Sequence, residues 1–329
     1  MKIAEVLPIR HGEIWTLAGQ AGVSYSVSRL PMDDDGNPSV EYLDLLQLRN
    51  KHRDYGYSLE VIEPDLNWQL NKFKLNLEGG DEEIEACKKL IRNMGALGIP
   101  VLCYNFMAHF NWVRTSFSVE GRGGALVSEY DHSQVENSPT TRYGIIGKDF
   151  LWERLELFLK EVIPVAEQSK VRLAIHPDDP PVDSIQGISR IITSFEDLKK
   201  VITLVPSAFN GITLCQGTIS AMGENVTEVI RELGSEKKVF YVHFRDVSGS
   251  AQKFVETFHD EGQTDMYETV KNYIKIGFDG PVRIDHVPTM EGENNTNPGY
   301  ETKGRLFALG YLKGLFEAAL KEVVYETEG

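Results

Sequence analysis

Short runs of Val, Ile and aromatic residues recur along the chain, none longer than eight residues, separated by longer segments with helical spacing. They fall at 2–8, 22–29, 57–62 and 100–105 in the first half, and at 171–176, 211–215, 238–244 and 281–285 in the second. Continuously apolar runs that alternate with helices predict the strands of a parallel sheet covered on its outer side. In 150–168 the apolar positions Leu151, Leu155, Leu157, Phe158 and Val162 recur mostly at three- and four-residue intervals, which predicts an amphipathic helix. The segments 82–97 and 301–323 follow the same rule. Eight strand–helix units predict an α/β chain folded as a (β/α)8 TIM barrel with enlarged βα loops, rather than an open doubly wound sheet. The longest interruption, 105–149, is rich in Gly, Ser and polar residues and is expected to form a loop or flap over one end of the barrel.

Composition adjusts this picture only in part. Of 329 residues, 41% are hydrophobic, enough for one large core, and no Pro-rich, Ser-rich or repetitive tract asks for a split. Residues 1–329 therefore read as a single domain. The formal charge of −15 argues against nucleic acid and against an anionic membrane, both of which need a basic face. No apolar stretch reaches membrane-spanning length, and the N-terminal residues lack the apolar core of a signal peptide. Cys87, Cys103 and Cys215 are too few, and odd in number, for a disulfide framework. A soluble, cytoplasmic protein is expected, and an acidic barrel with an amphipathic C-terminal helix is expected to form a homo-oligomer. Neither GxGxxG nor GxxxxGK[ST] follows any strand, so the usual nucleotide-binding fingerprints are absent.

The chemistry gathers at the strand ends. His176 ends LAIH, Cys215 ends ITLC, His243 lies in YVHFR and Asp285 ends VRID, at the C-terminal ends of the fifth to eighth strands. That rim is where active sites of this fold are built, and neighbouring strands lie about 4.8 Å apart, so four short ligands can converge on one ion. Taken singly, each has a plainer reading: a hydrogen-bonded histidine, a small buried thiol or a helix-capping aspartate. Taken together they predict a divalent metal site. Two imidazoles and a thiolate favour a first-row transition ion, and the carboxylate keeps Mn²⁺ in play.

Further polar groups share the rim. Arg245 could receive a substrate carboxylate or simply pair with Asp246. His286 could serve as general acid or base, or be a hydrogen-bonded loop histidine. Tyr300 could supply a phenolic proton or pack on the barrel. Glu63 could bind a sugar hydroxyl or cap a helix, and Asn105, His109 and Arg114 could meet a polar substrate or be solvated loop positions. His259 is a weaker candidate.

From about residue 100 onward the chain resembles the mannonate dehydratases of the xylose-isomerase-like barrels. The resemblance rests on CYNFM at 103–107, NWVRT at 111–115, HPDDPP at 176–181, LCQGT at 214–218 and VHFRDV at 242–247. It continues through 254–267, GFDGPVRIDH at 277–286, and PGY with GRL at 298–306, with HPDDPP and VHFR its most specific parts. It implies dehydration of D-mannonate to 2-keto-3-deoxygluconate with Mn²⁺, while the donor set also admits Fe²⁺, Co²⁺ or Zn²⁺. It places metal ligands on His176, Cys215, His243 and Asp285, and substrate chemistry on His286, Tyr300 and Arg245. Val287-Pro288 after the Asp-His pair and Asn111 before Trp112 depart from the family pattern, in loops expected to touch substrate. The alternatives are a dehydratase of another aldonic acid, a metal-dependent sugar isomerase or epimerase on the same barrel, and a non-catalytic sugar-acid binder.

Overall fold

The computed structural model of the chain describes residues 1–64 and 68–328. Eight parallel strands close into a barrel: Lys2–Val6, Tyr25–Ser28, Ser58–Ile62, Val101–Asn105, Arg172–His176, Asn210–Cys215, Val239–Phe244 and Pro281–Ile284. Closure is made by the first strand, which pairs with the second on one side and with the eighth on the other. Every strand anticipated from the apolar runs is present, most of them shortened by a residue or more where the chain leaves the sheet, and the sixth lengthened by Asn210. The barrel interior is filled mainly by small side chains, Ala4, Val27, Val61, Val101, Cys103 and Ala174, with Phe240 and Tyr241 supplying the bulk. The larger aliphatic residues lie outside, between the strands and the helical ring.

The helices form for the reasons the spacing implies. In Lys148–Ser169 the buried positions Leu151, Leu155, Phe158, Leu159, Val162, Ile163 and Ala166 make one continuous stripe. Gly80–Leu97 opens with three acidic residues, Asp81, Glu82 and Glu83, where the helix dipole favours them. It stops at Gly98, whose φ of 71° suits a left-handed cap. No helix among the described residues is long and apolar enough to cross a membrane.

The 105–149 segment is more ordered than a flap. It carries two strands, Ser116–Glu120 and Leu126–Asp131, which join Val247–Ser250 and Lys253–Glu256 in a four-stranded antiparallel sheet. The loops after the fourth and seventh barrel strands are thus welded together above the rim. A bridge between Leu126 and Thr289 ties the same sheet to the loop after the eighth strand.

Candidate active site

At the C-terminal rim a cavity of about 500 Å³ is lined by side chains from several βα loops, among them Glu63, Lys74, Asn105, His176, His243, Arg283, Asp285, His286 and Tyr300. The ligand atoms of His176, Cys215 and His243 lie within 4.8 Å of one another. Each is set by its strand: His176 and Cys215 close the fifth and sixth, and Cys215 and His243 are register partners across the sixth and seventh.

Local hydrogen bonds orient these atoms. His176 Nδ1 is 2.6 Å from the Pro177 carbonyl oxygen, which only accepts, so Nδ1 carries the proton and Nε2 is left with its lone pair. His243 Nε2 is buried and has no hydrogen-bond partner among the described residues, with Glu63 Oε2 3.5 Å away. Burial would push the Cys215 thiol up, but the Arg245 guanidinium and His176 outweigh it and hold the sulfur well below its ordinary range. Thr218 Oγ1 and Arg245 Nε both donate to that sulfur, at 3.2 and 3.3 Å.

Asp285 stands just beyond the eighth strand, with Oδ2 3.5 Å from His243 Nδ1. Its carboxylate is already engaged: Oδ1 accepts from Arg283 Nη1 at 2.6 Å and from the Tyr300 hydroxyl at 3.1 Å, and Oδ2 lies 3.1 Å from Arg245 Nε. It adjoins the trio without falling inside their 4.8 Å cluster. A second grouping, Glu63, Cys103 and His243, is equally compact. It is poorly suited to a cation, because Arg283 and the Tyr241 hydroxyl occupy Glu63 and because burial and Glu63 push the Cys103 thiol up.

His286 and Tyr300 face the same cavity, with rings at 88° and centroids 5.5 Å apart. His286 sits at φ 28°, a conformation an L residue holds only when its surroundings dictate it. Its Nδ1 lies 3.0 Å from Glu256 Oε1. The carboxylate accepts, so Nδ1 carries the proton and Nε2 is left as the second ring nitrogen. Burial and Asp285 push the Tyr300 phenol up, so it stays protonated.

Three expected substrate contacts are corrected. Arg245 does not line the cavity; it is fully buried behind Cys215, with Nη2 donating to Asp179 at 2.7 Å and Thr218 at 2.8 Å and Nη1 to Glu256. Nor does it pair with Asp246, whose carboxylate binds Thr264 and the Val247 amide. Arg114 is likewise buried, donating to both Asp179 oxygens at 2.8 and 2.9 Å and to Glu256 at 2.5 Å. His109 turns its ring onto Phe110 and Tyr143, outside the cavity lining. Glu63 and Asn105 do line it, Glu63 as the partner of Arg283. His259 is a buried strut, bonded to the Phe244 carbonyl oxygen at 2.8 Å.

Sequence reading passed over Arg283, Asp179, Glu256 and Lys74. Arg283 was detectable: it lies two residues before Asp285, and alternate residues of an extended chain point to the same side. Asp179 sits within HPDDPP, but its pairing with Arg114 and Arg245 joins segments 65 residues apart or more.

Comparison with known proteins follows the same lines. The D-mannonate dehydratase (UxuA) family matches residues 12–142 and 140–326. The mannonate dehydratase of Thermotoga neapolitana is 36% identical over 313 residues, spanning 84% of this chain and 86% of its own length. That of Endomicrobium trichonymphae is 31% identical over 347 residues, spanning 95% and 92%. The solved mannonate dehydratase from Streptococcus suis serotype2 superimposes with a TM-score of 0.89 at 29% identity, covering 98% of this chain and 96% of that one. A D-tagatose 3-epimerase-like protein, with a TM-score of 0.62 and 15% identity over 98% of this chain and 100% of that one, shares the fold alone.

Proposed function

This chain belongs to the mannonate dehydratase family, and from that premise we propose that its rim cavity expels water from D-mannonate to give 2-keto-3-deoxy-D-gluconate. It is an enzyme, a hydro-lyase. The observation that carries the reading of the site is the convergence of three strand-end ligand atoms within 4.8 Å, beside a cavity that His286 and Tyr300 also line.

His176, Cys215 and His243 would hold a divalent cation, and Asp285, whose Oδ2 lies 3.5 Å from His243 Nδ1, would be the fourth ligand. The local charge supports this. Glu63, Asp179, Cys215, Glu256 and Asp285 are all held below their ordinary ranges and hence anionic, against the three guanidinium groups of Arg114, Arg245 and Arg283. These anions outnumber the guanidinium groups among them, an excess that a bound cation would offset. Burial and Arg283 push the His243 imidazolium down, but Glu63 and Asp285 pull it well above its ordinary range, and the proton there answers the same excess. A thiolate with two imidazoles and a carboxylate accommodates Mn²⁺, the ion we propose, as well as Fe²⁺, Co²⁺ or Zn²⁺. When bound, the cation supplies Lewis-acid stabilisation of the charge that builds on the substrate carboxylate as its α-proton leaves.

The residues of the chain divide the proton work. Nε2 of His286, with Nδ1 committed to Glu256, takes the C2 proton. The Tyr300 hydroxyl, kept protonated by burial, gives a proton to the departing C3 hydroxyl, which leaves as water. The resulting enol ketonises to the 2-keto-3-deoxy acid. The buried Arg114–Asp179–Arg245–Glu256 lattice holds Cys215 and His286 in place. We further propose a cytoplasmic enzyme of hexuronate catabolism that self-associates and binds no nucleic acid, in keeping with its charge of −15.

The test is to strip the protein of metal, reload it with Mn²⁺ and offer a panel of aldonic acids, scoring the 2-keto-3-deoxy product. D-mannonate should turn over. Co²⁺-loaded protein should show a near-ultraviolet thiolate-to-metal band that Cys215→Ser lacks. Turnover of another acid would assign the departures at Val287 and Asn111 to specificity, and metal binding with no turnover anywhere would sink the dehydratase reading.

A further inference from the structure

Lys74 closes the short helix Asn71–Lys74, and its side chain lines the cavity while the residue is only 2% exposed. Its ammonium donates to two neutral acceptors, Asn105 Oδ1 and the Met107 carbonyl oxygen, both at a long 3.3 Å. It pairs with no carboxylate among the described residues. An ammonium carries three N–H donors, so one is left without an oxygen acceptor, the Phe106 ring lying 5.5 Å from the nitrogen. A buried charge without a counter-charge is costly. Burial pushes Lys74 down to about 7, even though Asp178 and Glu83 pull the other way.

The other cationic groups lining the cavity are differently placed. Arg283 is held by Glu63 and Asp285, and Arg29 is not free. Arg245, expected to meet the substrate carboxylate, and Arg114, expected to meet a polar substrate, lie outside the lining and are consumed by Asp179 and Glu256.

The position of Lys74 is built, not incidental. Leu70 enters its helix at φ 54°, and Phe73 N donates to Glu83 Oε2 at 2.9 Å. Arg154 lies 4.0 Å over the Phe73 ring and donates to its carbonyl oxygen at 3.0 Å. The His109 amide donates to Asn71 Oδ1 at 2.8 Å, tying the helix to the loop after the fourth strand. Asn105, which accepts from Lys74, is the register partner of His176 across the fourth and fifth strands. The ammonium is therefore held one residue away from the ligand cluster.

We propose that Lys74 is the electrostatic anchor of the substrate, receiving the carboxylate of the bound sugar acid on its remaining N–H and making the cavity select an anion over a neutral sugar of the same shape. A hydroxyl could take the hydrogen bond but would not supply the missing negative charge. The inference rests on the sugar-acid reading of the cavity and deepens it.

The measurement is a binding cycle on metal-loaded protein with two probes that differ only in charge, D-mannonate and its neutral amide. Wild type, Lys74→Met, Lys74→Gln and Lys74→Arg are compared, with metal content and thermal melting checking that each is folded. Removing the charge should weaken D-mannonate binding at least tenfold and amide binding less than threefold, and Lys74→Arg should restore most of the preference for the acid. Equal weakening of both probes, or of neither, overturns the anchor. If Lys74→Met does not fold, Lys74→Gln is read by the same criterion. Turnover separates this from the function itself. A wild-type protein that binds the acid more tightly than the amide but dehydrates nothing contradicts the dehydratase reading while leaving Lys74 standing. An unchanged KM in an active Lys74→Met enzyme overturns Lys74 alone.

Discussion

At the scale of single residues, the proton-transfer pair is the sharpest claim. His286 and Tyr300 meet edge to face over the cavity, each with one polar atom committed to a carboxylate, Glu256 or Asp285. Tyr300→Phe keeps the ring and its packing and removes the proton donor together with its hydrogen bond to Asp285. It should lower kcat by about 10²- to 10⁴-fold, the usual contribution of a positioned acid or base, with metal content unchanged. His286→Gln should do the same. A kcat within threefold of wild type in either variant would remove that residue from the chemistry. The same scale shows how far residue types alone reach. His, Cys and Asp at strand ends announce a site because those side chains are seldom placed there together without one. The arginines stay ambiguous at this scale because a guanidinium in a loop motif reads the same whether it greets a ligand or is locked between two buried acids.

At the scale of elements, the barrel depends on close approaches that a strand pattern does not show. The sixth and seventh strands change register between Ile212 and Thr213, which pair with Val239 and Tyr241, so Phe240 is the extra residue of a bulge. Gly211 lies under it, and a Cβ there would run into the Phe240 ring and the Lys238 carbonyl oxygen. Gly211→Ala should therefore destabilise the fold by about 1–3 kcal/mol, the cost of overpacking, and lower the urea midpoint without abolishing metal binding. A midpoint at or above wild type would show that the bulge yields at no cost. The 105–149 segment teaches the complementary lesson. Its strands are short and half exposed, and Leu126–Asp131 pairs with Lys253–Glu256, more than a hundred residues later. Alternation so brief carries little signal until the partner is known.

Over the whole molecule, stability should depend on a buried neutral histidine at some remove from the cavity. His52 is inaccessible, with Nδ1 2.7 Å from Ser26 Oγ and its ring against Trp15. Burial, aided by Lys51, pushes it down to about 4. The folded state resists protonation while the unfolded chain accepts a proton near pH 6.5. The neutral ring's contribution is therefore complete above pH 6.5 and is lost as pH falls towards 4, by on the order of 3 kcal/mol. Unfolding free energies of wild type and His52→Gln, followed from pH 7 to pH 4, should converge as the wild type loses this advantage. Parallel curves would show that His52 does not titrate with unfolding.

Periodicity and residue type carry the barrel and its rim. Eight apolar runs alternating with amphipathic helices allow few other folds, and the C-terminal strand ends then follow by counting along each strand. His176, Cys215, His243 and Asp285 were placed on one rim without any knowledge of contacts. Tertiary structure decided which charged groups face the cavity and which are buried against each other. Arg114 and Arg245 turned inward because Asp179 and Glu256, distant in the chain, offered them partners out of water. Lys74 found only neutral acceptors and was left facing the cavity. Those choices are settled by long-range electrostatics between side chains, and no local pattern carries them.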